Sequence, residues 1–439
     1  MRVGLVVYGS LARVSGGYLY DRMLVQYLQR AGDEVEIFSL PARPYAACLL
    51  QNFDAQFRRR LQAARLDVLL QDELNHPSLV VMNDWLRRQV RYPLIAIVHH
   101  LRCQERWPLP GQRLYRALEA RFLNSVAGVI CNSAATFAAV RRTAGRNPAG
   151  IVAAPGGDRF APAITLDAIA ARSVQPGALR IIFLGNLIAR KCLHCLFAAL
   201  AKLPRSAWEL DVVGSATADA GYARRVRQQA TALDLDRNII WRGSLPDDKL
   251  SLLLAASHVL AVPAAHEGFG IAYLEGMSFG VPALAARSGG AAEFIADGVD
   301  GWLVDPDDAG QLADRLSKLA ADRSQLATAS IKARQRFELQ PTWEQSMQRV
   351  GPPAGVGRLN CGRSRHLQFR ALSCGQARHR RPFAQPACVA GTAGGTAGSA
   401  SLAGVGDWRG HWHNVGPAAR VVISCRDGLH GHRCRCWRC

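Results

Sequence analysis

A doubly wound α/β protein in two halves is the fold class that this sequence predicts, and three observations carry the prediction. Apolar runs of strand length alternate with longer segments of helical period, as in a parallel sheet covered on both faces. A chain of 439 residues is long for one domain and natural for two Rossmann-like halves. Residues 258–306 read as a buried strand (258–263), a tight loop (267–270), a helix opening near Ile271 and a second strand after Pro282, one repeat of such a sheet.

Taken in order, residues 3–8 are the first strand, Gly16 and Gly17 open a helix over 18–32, and 34–40 is the next strand. Glycines there free backbone N–H groups to meet a phosphate, or simply make a tight turn. Further strands are predicted at 67–71, 94–99, 128–132 and 151–154, with helices such as 78–90 and 113–124 between them. The run LIAIVHH ends in His99 and His100, and open α/β sheets bind ligands at strand C-termini. CNSAAT (131–136) carries an N-cap signal for the following helix.

The periodicity lapses at 162–178, the predicted linker between a first domain (1–165) and a second (175–340). The second domain opens with a strand at 179–186. IARK then leads into a helix from Cys192, which puts Arg190 and Lys191 at the ligand edge of the sheet, as a solvated loop or as an anion clamp. Strands at 210–214 and 238–243, a helix at 248–256, a helical region to about Phe337 and a truncated closing helix (341–350) complete the pattern. Cys192 and Cys195 form a C-x2-C pair beside His194. Because structural zinc takes four ligands and no second cluster is near in sequence, the pair reads as helix packing, and no metal site is expected.

At the turn before Ile271, Gly268 and Gly270 let the backbone approach a ligand, and the helix behind directs unpaired N–H groups and its positive dipole end at the same spot. That suits phosphate. Two carboxylates, Glu267 and Glu275, frame the turn. Ionised carboxylates only accept hydrogen bonds, so they suit the hydroxyls of a sugar attached to the phosphate, and a sugar nucleotide is the implied ligand.

Glu267 and Glu275 with GFGIAYL between them, followed by GMSFGVPALA, SGGAAEFI and DGVDGWLV, resemble the donor-site signature of retaining glycosyltransferases of family 4. CNSAAT and APGGDRFAP (154–162) resemble the same family. The resemblance implies the GT-B fold, two Rossmann-like domains facing across a cleft, with the closing helix crossing back onto the first. It also implies transfer of a sugar from a nucleoside-diphosphate donor to an acceptor hydroxyl, with retained configuration and without a metal or other cofactor. Lys191 and Arg190, with the amides of Gly268, Phe269, Gly270 and Ile271, then hold the donor phosphates, and Gly16 and Gly17 face them from the other wall. Glu267 holds sugar hydroxyls, Glu275 the ribose diol, and His99 lies near the transferred sugar, with His100 the second candidate. Two positions depart from the family. Cys192 follows the lysine where glycine is usual and is read as tolerable in a helical first turn; Asn186 stands where arginine is frequent.

The net charge of +20 is uneven. Residues 351–439 hold 13 Arg, no Lys and two carboxylates, a net +11, while the first 350 hold 41 basic and 32 acidic side chains, a net +9. Seven of the twelve cysteines also lie in that last stretch. Its abrupt composition and lost periodicity read as an out-of-frame, disordered tail, with His430, His432, Cys434, Cys436 and Cys439 as weak metal-ligand candidates. Specific nucleic-acid binding is not expected on whole-chain charge alone. The sequence has no run of about 18 apolar residues, and MRVGLVVYGS reads as a strand and not a signal peptide, so a cytoplasmic protein is expected. Arg58, Arg59 and Arg60, and Arg224 with Arg225, leave peripheral contact with an anionic membrane surface open, although such runs are usually solvated helix faces. The acceptor, whether glycan, lipid or small molecule, is not named by the sequence. Alternatives are a sugar-nucleotide epimerase or phosphorylase of the same fold, or a relative that binds donor without turnover.

Overall fold

The computed structural model describes residues 1–160, 162–305 and 307–350. The expectations placed on residues 351–439 lie outside the described residues.

Two six-stranded parallel sheets form the framework. The first contains β1 (Arg2–Tyr8), β2 (Glu34–Leu40), β3 (Val68–Asp72), β4 (Leu94–Val98), β5 (Gly128–Cys131) and β6 (Gly150–Val152), in the order β2-β1-β3-β4-β5-β6. The second contains β7 (Leu179–Leu184), β8 (Trp208–Val213), β9 (Ile239–Gly243), β10 (Val259–Val262), β11 (Ala283–Ala286) and β12 (Gly301–Val304), in the order β12-β11-β10-β7-β8-β9. The order reverses between β1 and β3 in one sheet and between β7 and β10 in the other. At such switch points the loops part to opposite faces and leave a crevice beyond the strand C-termini.

Strand sequences follow from burial on both faces. All of β4, β10 and β11 is buried, so each reads as a continuous apolar run without alternation. In β1, Val6 and Tyr8 join one core cluster while Val3, Leu5 and Val7 join another, which places the two on opposite faces of the first sheet. One larger cluster, including the buried Trp208 and Trp302, fills the second half.

Three helical expectations are corrected. The first helix spans Gly16–Arg30, not 18–32, because Ser15 caps it by accepting from the Tyr18 amide. The segment at 78–90 is two helices, His76–Leu79 and Met82–Gln89. The region to Phe337 is also two, Ala309–Ala321 and Arg323–Phe337, divided at Asp322, whose side chain caps the second. Nor is the predicted linker structureless: it contains the helix Leu166–Ser173, fastened to the second half by buried Arg172, which donates to the Phe279 and Gly280 carbonyls.

The closing helix, Trp343–Gln348, opens with a capping box between Thr342 and Gln345. It packs on the first half, with Trp343 edge-on to Tyr20 at 5.8 Å, Met347 buried and Glu344 3.1 Å from Arg30. Among the described residues no helix is long and apolar enough to cross a membrane.

Candidate functional site at the domain seam

The loops after β7 and β10 meet at the switch point of the second sheet, where Ile181 pairs with Val259. The first carries Arg190 and Lys191, the second Glu267 to Gly270, and the Ala265 amide ties them by donating to the Arg190 carbonyl at 2.8 Å. Lys191 Nζ donates to Glu267 Oε2 at 2.5 Å. Arg190 Nη1 donates to the His266 carbonyl at 2.8 Å and lies 3.5 Å from the same Glu267 oxygen. From the opposite domain, Glu105 Oε1 lies 3.5 Å from Arg190 Nε and 3.1 Å from His100 Nε2. Arg190 Nε is buried and faces the Glu105 carboxylate without a hydrogen bond to it, a donor that a closer anion would satisfy.

Burial pushes the Glu267 carboxyl up, but Lys191 and Arg190 more than reverse this and hold it down at about 2. Burial likewise lowers the Lys191 ammonium, with Glu267 opposing. Glu275, 6 % exposed in the helix Ile271–Ser278, is touched by Arg159 Nη1, while Arg159 Nη2 reaches Asp247 at 2.6 Å. Burial raises Glu275, and Arg159 opposes that rise. Read from sequence as acceptors for sugar hydroxyls, the two carboxylates are both paired with cations in the structure.

The facing wall belongs to the first domain. His99, just past β4, places Nε2 3.1 Å from Asp21 Oδ1 and is buried. Burial alone would lower its pKa, yet Asp21, Asp72 and Glu73 together raise it to about 9. Burial also lifts the Asp72 and Glu73 carboxyls, each to about 8. Gly17 lies against this imidazole: a Cβ there would stand 3.0 Å from His99 Cδ2. Gly268 is required by a closer approach, since a Cβ would stand 1.9 Å from the His99 carbonyl oxygen of the other domain. Gly16 faces Ile271, whose side chain packs against core clusters of both domains. Ser133 Oγ donates to the Gly268 carbonyl at 2.7 Å, and Glu293 accepts from the Ala134 and Ala135 amides at 3.0 and 2.6 Å. The structure thus brings Gly16, Gly17, His99, Arg190, Lys191, Glu267, Gly268, Gly270 and Ile271 to one seam, with Glu275 one helical turn and more behind.

Other sequence expectations shift. The Phe269 side chain is buried and stacks on Phe294 at 4.8 Å, which leaves only its backbone for a ligand. His100 pairs with Glu105, not with the acids around His99. Cys192 is not in a helical first turn: it is the N-cap of Leu193–Leu200, with φ of 52°. This is the left-handed region that glycine occupies without strain, so the departure costs more than the sequence suggested. Asn186 Nδ2 donates to the Val14 carbonyl at 3.1 Å and bridges the domains.

Sequence reasoning missed Asp21, Glu105 and Arg159. Arg159 lies in the quoted APGGDRFAP turn, so its signal was present and unread. Asp21 looks like any polar residue of a helix, and Glu105 like any loop acid. Among the described residues, three sets bring potential metal-ligating atoms within 4.8 Å of one another: Asp21, Asp72 and His99; Glu73, His76 and Glu119; and Cys192, His194 and Cys195. The first two are wholly buried and hydrogen-bonded into the first domain through His99 and His76.

Two family models match the chain: glycosyl transferases group 1 over residues 169–336, and glycosyltransferase family 4 over residues 20–157. A GDP-mannose-dependent alpha-(1-6)-phosphatidylinositol monomannoside mannosyltransferase of Mycolicibacterium smegmatis is 30 % identical over 163 residues, 35 % of this chain and 42 % of that protein. With this and two further curated relatives, D-inositol 3-phosphate glycosyltransferases, the chain aligns over 42 %, 42 % and 52 % of their length. Sucrose-phosphate synthase of Thermosynechococcus elongatus has the same fold, with a TM-score of 0.69 at 22 % identity over 80 % of this chain and 97 % of that one. Anabaena HepE in complex with UDP-glucose gives a TM-score of 0.64 at 22 % identity over 80 % and 98 %.

Proposed function

We propose that this chain, which belongs to the glycosyl transferases of group 1 and has the GT-B fold, moves a sugar from a nucleoside-diphosphate donor to an acceptor hydroxyl at the domain seam. The observation that carries the reading is the convergence of Arg190, Lys191 and Glu267 where the second sheet reverses its strand order. As the glycosidic bond breaks, negative charge gathers on the leaving diphosphate, and fixed cations aimed there lower the barrier. The unsatisfied Arg190 Nε and the Lys191 ammonium supply such charge, with the Gly268 to Ile271 backbone beside them. Donor phosphate then takes over part of the partnership that Lys191 has with Glu267, which frees that carboxylate to accept from sugar hydroxyls.

In the same reading Glu275, held by Arg159, accepts from the ribose diol. His99 keeps its proton through Asp21 and offers its remaining ring N–H beneath the sugar. Retention of configuration and independence from a metal ion are part of the proposal. So is a location on the cytoplasmic side, with the acceptor, whether glycan, lipid or small molecule, set by loops at 43–60 and 102–111.

The test incubates the full chain with GDP-mannose or UDP-glucose, because a GDP-mannose-dependent relative and a UDP-glucose complex are among its likenesses. A rise in thermal midpoint shows binding by mass action. Release of nucleoside diphosphate that depends on acceptor supports transfer, whereas interconversion of the nucleotide sugar without acceptor supports epimerisation. Binding with no turnover across a panel of acceptors sinks the transferase reading and leaves a donor-binding relative, which the Cys192 backbone favours.

A further inference from the structure

We propose that Cys192, His194 and Cys195 form a site for a thiophilic divalent cation of the zinc type, beside Lys191. The proposal goes beyond the glycosyl-transfer reading and does not rest on it. One ligating atom from each of the three side chains lies within 4.8 Å of the other two. Tetrahedral zinc, with Zn–S of ~2.3 Å, sets sulfur atoms ~3.8 Å apart, so closing the site requires movement of no more than about 1 Å.

Two features argue against the helix-packing reading. Cys192 keeps a thiol at a backbone conformation that favours glycine, and packing alone gives no reason to accept that strain. His194 is also oriented from outside the set: its Nδ1 lies 2.9 Å from the Tyr222 hydroxyl, which accepts from the His194 amide at 3.3 Å. An outer partner of this kind fixes the ring of a metal-binding histidine.

Donor chemistry selects the ion. Two thiolates and an imidazole are soft to borderline ligands, which favour zinc or cadmium over magnesium or calcium. Binding deprotonates both thiols, releases two protons to solvent and leaves two thiolates neutralising one divalent charge. Cys192 is 3 % exposed, but Cys195 and His194 are only partly buried, so an ion enters from their side. Three protein ligands leave a fourth position for water.

The test titrates cadmium into the full, reduced chain and follows the cadmium–thiolate ultraviolet band, with zinc content measured after dialysis. Seven further cysteines lie in residues 351–439, so the readout is the difference from variants that leave them unchanged. Cys192→Gly suits the left-handed backbone and guards against misfolding; Cys195→Ala is the second variant, and cooperative thermal unfolding checks each. Each is expected to bind one ion per chain fewer than the parent, and His194→Ala to bind that ion about tenfold or more weakly. Equal stoichiometry in the parent and both cysteine variants overturns the proposal. So does recovery of a Cys192–Cys195 disulfide from protein kept in reductant.

Discussion

Lys191 Nζ donates to Glu267 Oε2 at 2.5 Å, with each side chain 13 % exposed. These residues are 76 apart in sequence and meet because β7 and β10, each leading into one of the two loops, are neighbours in the sheet. The pair is buried enough that removing Lys191 leaves the carboxylate with only the longer Arg190 contact, at 3.5 Å, and it sits where the proposed donor phosphates bind.

Lys191→Ala is expected to lower turnover on the order of 10²–10³, as loss of a group stabilising the leaving charge does. It also leaves Glu267 with Arg190 alone, at 3.5 Å, so stability falls in denaturant unfolding, by less than the ~3–5 kcal/mol of a buried charge left wholly unpaired. Adding Glu267→Gln should restore much of that stability without restoring turnover. A double variant as unstable as Lys191→Ala alone would show that the ion pair is not what the single substitution broke.

Acid unfolding carries a signature of Glu267. Its carboxyl is lowered from an ordinary 4.5 to about 2, so its contribution is present above 4.5 and is lost as pH falls toward 2. Glu267→Gln should flatten the stability profile in that window. An unchanged profile refutes the assignment.

His99 behaves with the opposite sign. Raised from 6.5 to about 9, it contributes stability that is complete below 6.5 and lost as pH rises through 9. Asp21→Asn removes a partner that favours the imidazolium, while Asp72 and Glu73 remain. An NMR titration should show the His99 pKa fall by at least one unit, about 1.4 kcal/mol.

Glu275→Gln is expected to weaken donor binding by about 1–3 kcal/mol and to change turnover little. Arg159→Ala should weaken binding as well, since it leaves Glu275 buried without its cation. Calorimetric titration with the donor found in the screen reads both. If turnover falls as steeply as binding weakens, the ribose role is wrong.

At position 192 the usual order of helix formers reverses. With φ of 52°, Cys192→Gly should be more stable than Cys192→Ala by about 1 kcal/mol, although alanine is preferred inside a helix. Thermal unfolding of the two variants decides it, because both lose the same thiol.

The sequence by itself determined the two-half α/β architecture, nearly every strand, and the turn with Glu267, Gly268 and Gly270. Each is written locally, in apolar runs, glycines and short motifs read without knowing what lies opposite. It did not determine that the carboxylates already have cations, that Asp21 stands under His99, or that Glu105 reaches Arg190. Those pairings join residues 76, 78, 85 and 116 positions apart, through strand order and domain closure that no local pattern encodes. Only the tertiary structure revealed that Cys192 takes a left-handed backbone, because φ at a cap is set by how the loop must meet the helix. The residue type stays readable in sequence, while the conformation imposed on it depends on the packing around it.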